Sequence, residues 1–237
     1  METNKKPILK IFMSILFALI IFGGYFCVIF IDFQAPLKSS YFYFGCVCAC
    51  FLFALLFMKM KPKSMVVVIA LTLTVVADYY LILNLNALEE NRLIGLCVFC
   101  GVQLLYAIYT LMLNRSIGTR VINIALRIGL CLIVYFVLPL YFELGLIEMI
   151  SLMYISNFVV SILFLIAHIK TEWLMLLGYL LFFICDIFIG LSNGGAAFFG
   201  ITGEFLNFIT SNDVAFYFYI PGLFLIALSV VWKKEKK

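Results

Sequence analysis

The sequence has little charge. Only 12% of its 237 residues are Asp, Glu, Lys or Arg, against 66% hydrophobic ones, whereas a soluble domain carries about 25% charge. A soluble globular fold is excluded. Because no polar run is long enough to form a separate domain, any function must reside in a membrane bundle, and nucleic acid is excluded as a partner. Histidine is almost missing as well: His168 is the single one, which rules out a bis-histidine haem and a histidine-built zinc site. Beside Ile169-Lys170 it reads as an interface residue at a helix end. Cysteine is present eight times, but always inside apolar runs, so Cys97 and Cys100 read as small residues facing lipid rather than as a redox or metal pair. No metal site is predicted.

What the chain does have is a succession of apolar runs, each near the 20 residues or so that cross a bilayer. Eight are predicted, at about 8–31, 41–58, 65–85, 93–113, 119–142, 144–168, 172–193 and 213–232. Together they make one all-α transmembrane domain spanning residues 1–237. The first run follows lysines, as in a signal peptide, but it exceeds a 7–15-residue signal core and lacks a small-x-small cleavage site, so it reads as a retained helix. Turn and charge signals mark the links, the faintest being Phe142-Glu143-Leu144-Gly145 after Pro139.

Positive charge orients the bundle, since cytoplasmic loops retain Lys and Arg. Lys5, Lys6 and Lys10, then Lys59, Lys61 and Lys63, Arg115 and Arg120, Lys170, and Lys233, Lys234, Lys236 and Lys237 fall on one side, while Lys38 and Arg92 fall on the other. Both termini are therefore predicted to be cytoplasmic. Arg127, inside the fifth helix, is expected to snorkel to the cytoplasmic interface. Residues 194–212, rich in Gly, Phe and Asn, are expected on the outer face as an interfacial cap or a plain loop. The richness in Lys, Asn, Ile and Phe suggests a bacterial plasma membrane.

Two carboxylates stand out, Asp78 and Asp186, each deep in an apolar helix. An intramembrane charge costs at least about 2.5–3.5 kcal/mol, so such an acid marks a function and needs a partner. Asp78 lies fourteen residues beyond Ser64 and Asp186 fifteen beyond Thr171, which puts both roughly 21–22 Å from the cytoplasmic edge on parallel helices. They share one depth. Gln103, Tyr106, Tyr154, Asn157 and Tyr219, on helices descending from the outer face, supply polar groups around that level. Two carboxyls enclosed together do not both ionise at neutral pH, which leaves one acid and one base. That pairing suits protonation of an ether or enol ether, and it equally suits proton or cation coupling in a transporter.

Ala77-Asp78 with Leu81, Gly95-x-x-x-Phe99-x-x-x-Gln103-x-x-Tyr106, Gly178 and Phe182 before Cys185-Asp186, and Tyr219-x-Pro221-Gly222-x-x-Leu225-Ile226-Ala227-x-Ser229 occur in that order. This series resembles the YhhN-like lysoplasmalogenase family, eight-helix membrane enzymes that hydrolyse the vinyl ether of lysoplasmalogens to a fatty aldehyde and a glycerophospho-alcohol. The resemblance implies Asp78 and Asp186 as the catalytic pair, with Gln103, Tyr106 and Tyr219 as supporting hydrogen-bonding residues, a lysophospholipid as substrate and no cofactor. The chain departs from the family pattern at Ala77 and Cys185, where a glycine or other small residue and a serine are usual, and at Gln103, where histidine is frequent. An intramembrane aspartyl protease is disfavoured, because Ile184-Cys185 precedes Asp186 in place of Gly-x-Gly.

Overall fold

The computed structural model of the chain describes residues 5–30, 36–83, 89–114, 116–199, 203–211 and 214–232. Among them the regular structure is helical throughout: α1 (Lys5–Phe30), α2 (Pro36–Phe57), α3 (Pro62–Asp78), α4 (Glu89–Leu113), α5 (Ile117–Leu132), α6 (Leu146–Ile166), α7 (Ile169–Phe199), α8 (Glu204–Ser211) and α9 (Val214–Val231). In hydrocarbon a helix satisfies its own backbone hydrogen bonds, which is why long apolar runs take this form. Seven of the described helical stretches are long and apolar enough to cross a membrane, and α1 adds the shorter apolar stretch Leu9–Gly23. The protein is an integral-membrane helical bundle.

Local sequence explains where the helices start and stop. Pro62 opens α3 at a position that needs no amide donor. The faint link after the fifth run is a real break: Leu138–Leu140 tightens into a 3-10 turn holding Pro139, and α6 begins after an extended Gly145. Residues 194–212 were expected to form a cap or loop, and the described part is instead mostly helical. α7 continues to Phe199, and the short α8 buries Ile209 while exposing Phe205 and Phe208. Residues 200–202 and 212 of that segment lie outside the described residues, as do Arg115 and residues 233–237 of the charge pattern.

The closest helix pair is α7 with α9. Gly178 and Gly222 make it possible, because a Cβ on Gly178 would stand 2.7 Å from the Gly222 carbonyl oxygen, and one on Gly222 would stand 2.9 Å from that of Gly178. The two backbones touch, as small residues allow in membrane bundles. α3 continues beyond Asp78 as a π turn, Tyr79–Leu83, and lays Leu81 and Tyr80 directly on Gly95 of α4. Large apolar side chains such as Leu19, Leu56, Phe136 and Leu163 cover the outside, where lipid rather than water is the natural neighbour.

α5 is built the other way round from a soluble helix. Its buried residues are Asn123 and Arg127, while Val121, Ile122, Ile124, Leu126 and Ile128 are exposed. Polar groups in a membrane helix face the bundle interior because only there do they find partners. Arg127 does not snorkel to the interface as expected. Its side chain is 8% exposed and reaches sideways into the bundle, because four neutral polar side chains from three helices wait there for it.

Candidate functional site

Two polar clusters occupy the interior, one above the other along the helices. The upper one is built on the acids. Asp78, at the end of the regular part of α3, is 3% exposed, and Asp186 on α7 is 4% exposed. The Tyr219 hydroxyl, on α9, donates to Asp78 Oδ2, and the Tyr219 ring packs edge-on against Phe182 of α7 at 5.1 Å. Asp186 lies within electrostatic reach of Asp78, and Tyr219 within reach of both. The two acids therefore belong to one electrostatic neighbourhood, with Tyr219 between α3 and α7. Tyr154 of α6 is buried within electrostatic reach of Asp186 and packs edge-on against Phe99 at 5.6 Å.

The helix register places Gln103 and Tyr106 beneath the acids. Gly95 faces Tyr80–Leu81 and Gly101 faces Leu73, so α4 runs antiparallel to α3 and Gln103 sits about six residues below Asp78, roughly 9 Å along the axis. Helical side chains lean toward the start of their own helix. On α4 that is the acid end. Both residues are 1% exposed, and the Gln103 carbonyl accepts a hydrogen bond from the Tyr179 hydroxyl at 2.6 Å. The Tyr106 ring stands edge-on to Tyr179 at 5.1 Å.

Among the described residues, three buried side-chain polar atoms have no protein partner: Asp186 Oδ2, Gln103 Nε2 and the Tyr106 hydroxyl. Leaving a buried donor or acceptor unmatched costs about 1–3 kcal/mol each. They are an amide nitrogen and a phenol on α4 and a carboxyl oxygen on α7, and each can bond a small oxygen-bearing group such as a hydroxyl, an ether or water.

The lower cluster is centred on Arg127. Nε donates to Asn123 Oδ1 at 2.8 Å, Nη1 to Asn157 Oδ1 at 3.0 Å and to the Asn157 carbonyl at 3.1 Å, and Nη2 to Thr110 Oγ1 and Ser161 Oγ, each at 3.0 Å. Every guanidinium N–H is engaged. Asn157 thus belongs to this cluster and not to the level of the acids, and its amide donates back to the Met153 carbonyl at 3.0 Å. Further down, the Tyr109 hydroxyl donates to Glu172 Oε2 at 2.6 Å, where α7 kinks at Glu172.

A groove of about 460 Å3 lies between α4, α5 and α6, lined by apolar side chains with Arg127 and Asn157 among them. Neither acid reaches it. The groove's cation has every donor engaged, while among the described residues the closed interior holds three buried polar atoms with no partner.

Sequence reasoning passed over Tyr179, Ser161, Thr110 and Asn123, each a lone polar residue in an apolar run. Spacing would have found them. Gln103, Tyr106 and Thr110 lie on one face of α4, Asn123 and Arg127 are one turn apart on α5, Asn157 and Ser161 on α6, and Tyr179 and Asp186 two turns apart on α7. No curated protein and no solved structure matches this chain. A family model does: the one described as the YhhN family covers residues 39–230, from the start of α2 to the last turn of α9. That stretch includes both polar clusters, and on this match the chain belongs to the YhhN family.

Proposed function

We propose that the protein hydrolyses the vinyl ether bond of lysoplasmalogens, releasing a fatty aldehyde and a glycerophospho-alcohol, with Asp78 and Asp186 as the catalytic pair. The observation that carries this reading is the buried, unmatched Asp186 Oδ2 in the same electrostatic neighbourhood as the Tyr219-bonded Asp78, with Gln103 Nε2 and the Tyr106 hydroxyl also unmatched beneath them. A site that keeps two acids and spare donors away from water is suited to a bond that needs only proton transfer. YhhN family membership supports the same chemistry.

Asp78, which accepts the Tyr219 hydrogen bond, is the carboxylate, since a donated hydrogen bond favours the charged form. Asp186 carries the proton. It protonates the vinyl carbon distal to the ether oxygen, and the oxocarbenium that results is steadied by the Asp78 carboxylate. Water then adds to the carbon bonded to oxygen and gives its proton to Asp78. As the hemiacetal breaks down, Asp186 takes the hydroxyl proton and the departing alkoxide takes the proton from Asp78. Both acids return to their starting state. Gln103, Tyr106, Tyr219 and Tyr154 hold the reacting oxygens and the acids in place.

In this reading the chain crosses the membrane eight times, α1 included, with both termini in the cytoplasm of a bacterial plasma membrane. The α7–α8–α9 end then lies near the outer face, close to the acids. The test is aldehyde release by purified protein from lysoplasmalogens set against ester and saturated-ether lysolipids. Release from the vinyl ether alone is expected. Proton-driven uptake in liposomes with no turnover of any of these lipids would assign the pair to transport instead.

A further inference from the structure

The acids make no use of the groove between α4, α5 and α6, and its dimensions say what fills it. Only 17% of the α5 span is buried within the protein, against 39–56% of the other described spans. α5 packs on α6 rather than on α4, and the bond from Arg127 Nη2 to Thr110 Oγ1, 3.0 Å long, reaches across the gap that remains. Beside that bond the gap widens into the groove, walled by Leu104 and Ile108 of α4, Ile128 and Leu132 of α5 and Met153 of α6. Leu104, Ile108, Ile128 and Leu132 are exposed. The groove therefore opens sideways, and around membrane-spanning helices that side is hydrocarbon.

Depth comes from α5, which begins at Ile117. Arg127 lies ten residues further on, about 15 Å along the axis, and Tyr135 eighteen, about 27 Å, in a hydrocarbon core about 30 Å thick. The groove, which Tyr135 and Phe136 also line, thus runs from about the bilayer mid-plane to one boundary, the level at which tyrosine rings settle. Its volume of about 460 Å3, spread over the ~18 Å from Ile124 to Phe136, gives a cross-section of roughly 25 Å2, against ~90 Å2 for a helix. A helix of a second copy is too wide for it, and one extended hydrocarbon chain fits. Nothing in the lining calls for a charged occupant. Arg127 has every donor engaged, and the Asn157 amide donates to the Met153 carbonyl at 3.0 Å and to Cys131 Sγ at 3.8 Å. We propose that the groove is a lipid-binding site that holds one hydrocarbon chain of a phospholipid, with the polar end of that lipid at the Tyr135 boundary. Walls on three helices give the chain more contact than a flat helix face does, so this lipid stays when its neighbours exchange. The site stands apart from the acids and does not depend on their chemistry.

The test uses purified full-length protein, stripped of lipid in detergent and titrated with dioleoyl phosphatidylglycerol, with native mass spectrometry counting the lipids each chain keeps. One tightly kept lipid per chain is expected. Ile128→Trp and Leu104→Trp add bulk to opposite walls of the groove at exposed positions, and each should weaken that lipid roughly tenfold, the worth of about two buried methylenes. Leu163→Trp adds the same bulk to an exposed position on α6 outside the groove and should leave the lipid in place. Dioleoyl phosphatidylcholine should be kept as well as the glycerol lipid, and dioctanoyl phosphatidylglycerol, too short to fill the groove, should not be kept. The added dioleoyl lipid should also raise the unfolding midpoint of the native protein and not that of Ile128→Trp. A native protein that keeps no lipid, or equal retention in all three variants, would overturn the inference. So would retention of a single headgroup class, which would put recognition at the boundary instead of in the groove. A lipid-free dimer that Ile128→Trp splits into monomers would overturn it too, by making the groove a contact between copies.

Discussion

The two polar clusters inside this bundle are both built from lone polar residues in apolar runs and treat hydrogen bonds in opposite ways. Around Arg127 all the guanidinium donors find acceptors on α4, α5 and α6, and none of these acceptors is a carboxylate. Above it, among the described residues, a carboxyl oxygen of Asp186, the Gln103 amide NH2 and the Tyr106 phenol are buried with no protein partner. Each cluster is costly to place in a membrane, but only the lower one recovers the cost within the protein. A satisfied cluster ties helices together, whereas an unsatisfied one waits for a ligand. The contrast separates a structural polar site from a functional one where composition cannot, since both read in the sequence as isolated polar residues in apolar runs.

If that contrast is right, substitutions in the two clusters should fail in different ways. The largest effect is expected from Asp78→Asn and Asp186→Asn. Each should reduce kcat/KM for aldehyde release by about 10³, within the range of a lost general acid or base, while thermal stability stays level or rises, because a buried acid with an unmatched oxygen is a poor contributor to folding. A fall in melting temperature matching the loss of activity would erase the distinction. Arg127→Met should do the reverse in the first instance. Five side-chain hydrogen bonds at ~0.6 kcal/mol each give a loss of about 3 kcal/mol, read as a lower unfolding midpoint in detergent. Tyr219→Phe removes only the donor to Asp78 and should cost about tenfold in turnover with little change in stability, measured as kcat and KM separately. At the bottom of the scale, Cys97→Ser with Cys100→Ser should shift neither activity nor stability by more than ~0.5 kcal/mol, since both are free thiols, Cys97 exposed and Cys100 half-buried in the first half of α4.

Much of the fold was legible because a bilayer imposes one rule, that the backbone must bond to itself over a fixed thickness. Apolar run lengths gave the helices to within a few residues, including the break at Glu143–Gly145. The end of α7 was misjudged: residues 194–199 open on two glycines, which signal a turn in water, yet helix is the conformation in which such residues keep their backbone bonded in an apolar surrounding. Arg127 was misjudged for a related reason. Snorkelling is the rule for a cation with no partners at its own depth, and its partners are Thr110, Asn123, Asn157 and Ser161, four unremarkable side chains on three different helices that only the fold brings together. The acids themselves were visible from cost alone. What no pattern could supply was the state of each hydrogen bond, hence which polar residues were spoken for and which were spare.

The proton step is the central claim, and deuterium reads it directly. The native enzyme should be allowed to turn over a vinyl-ether lysolipid in D2O, with free aldehyde incubated alongside to account for solvent exchange, and the aldehyde analysed by mass spectrometry. Protonation of the vinyl carbon by Asp186 requires one deuterium at carbon 2 of the aldehyde, beyond the exchange control. An aldehyde with no deuterium on that carbon would contradict the account, because the bond would then have been broken without the acid that the site is built around.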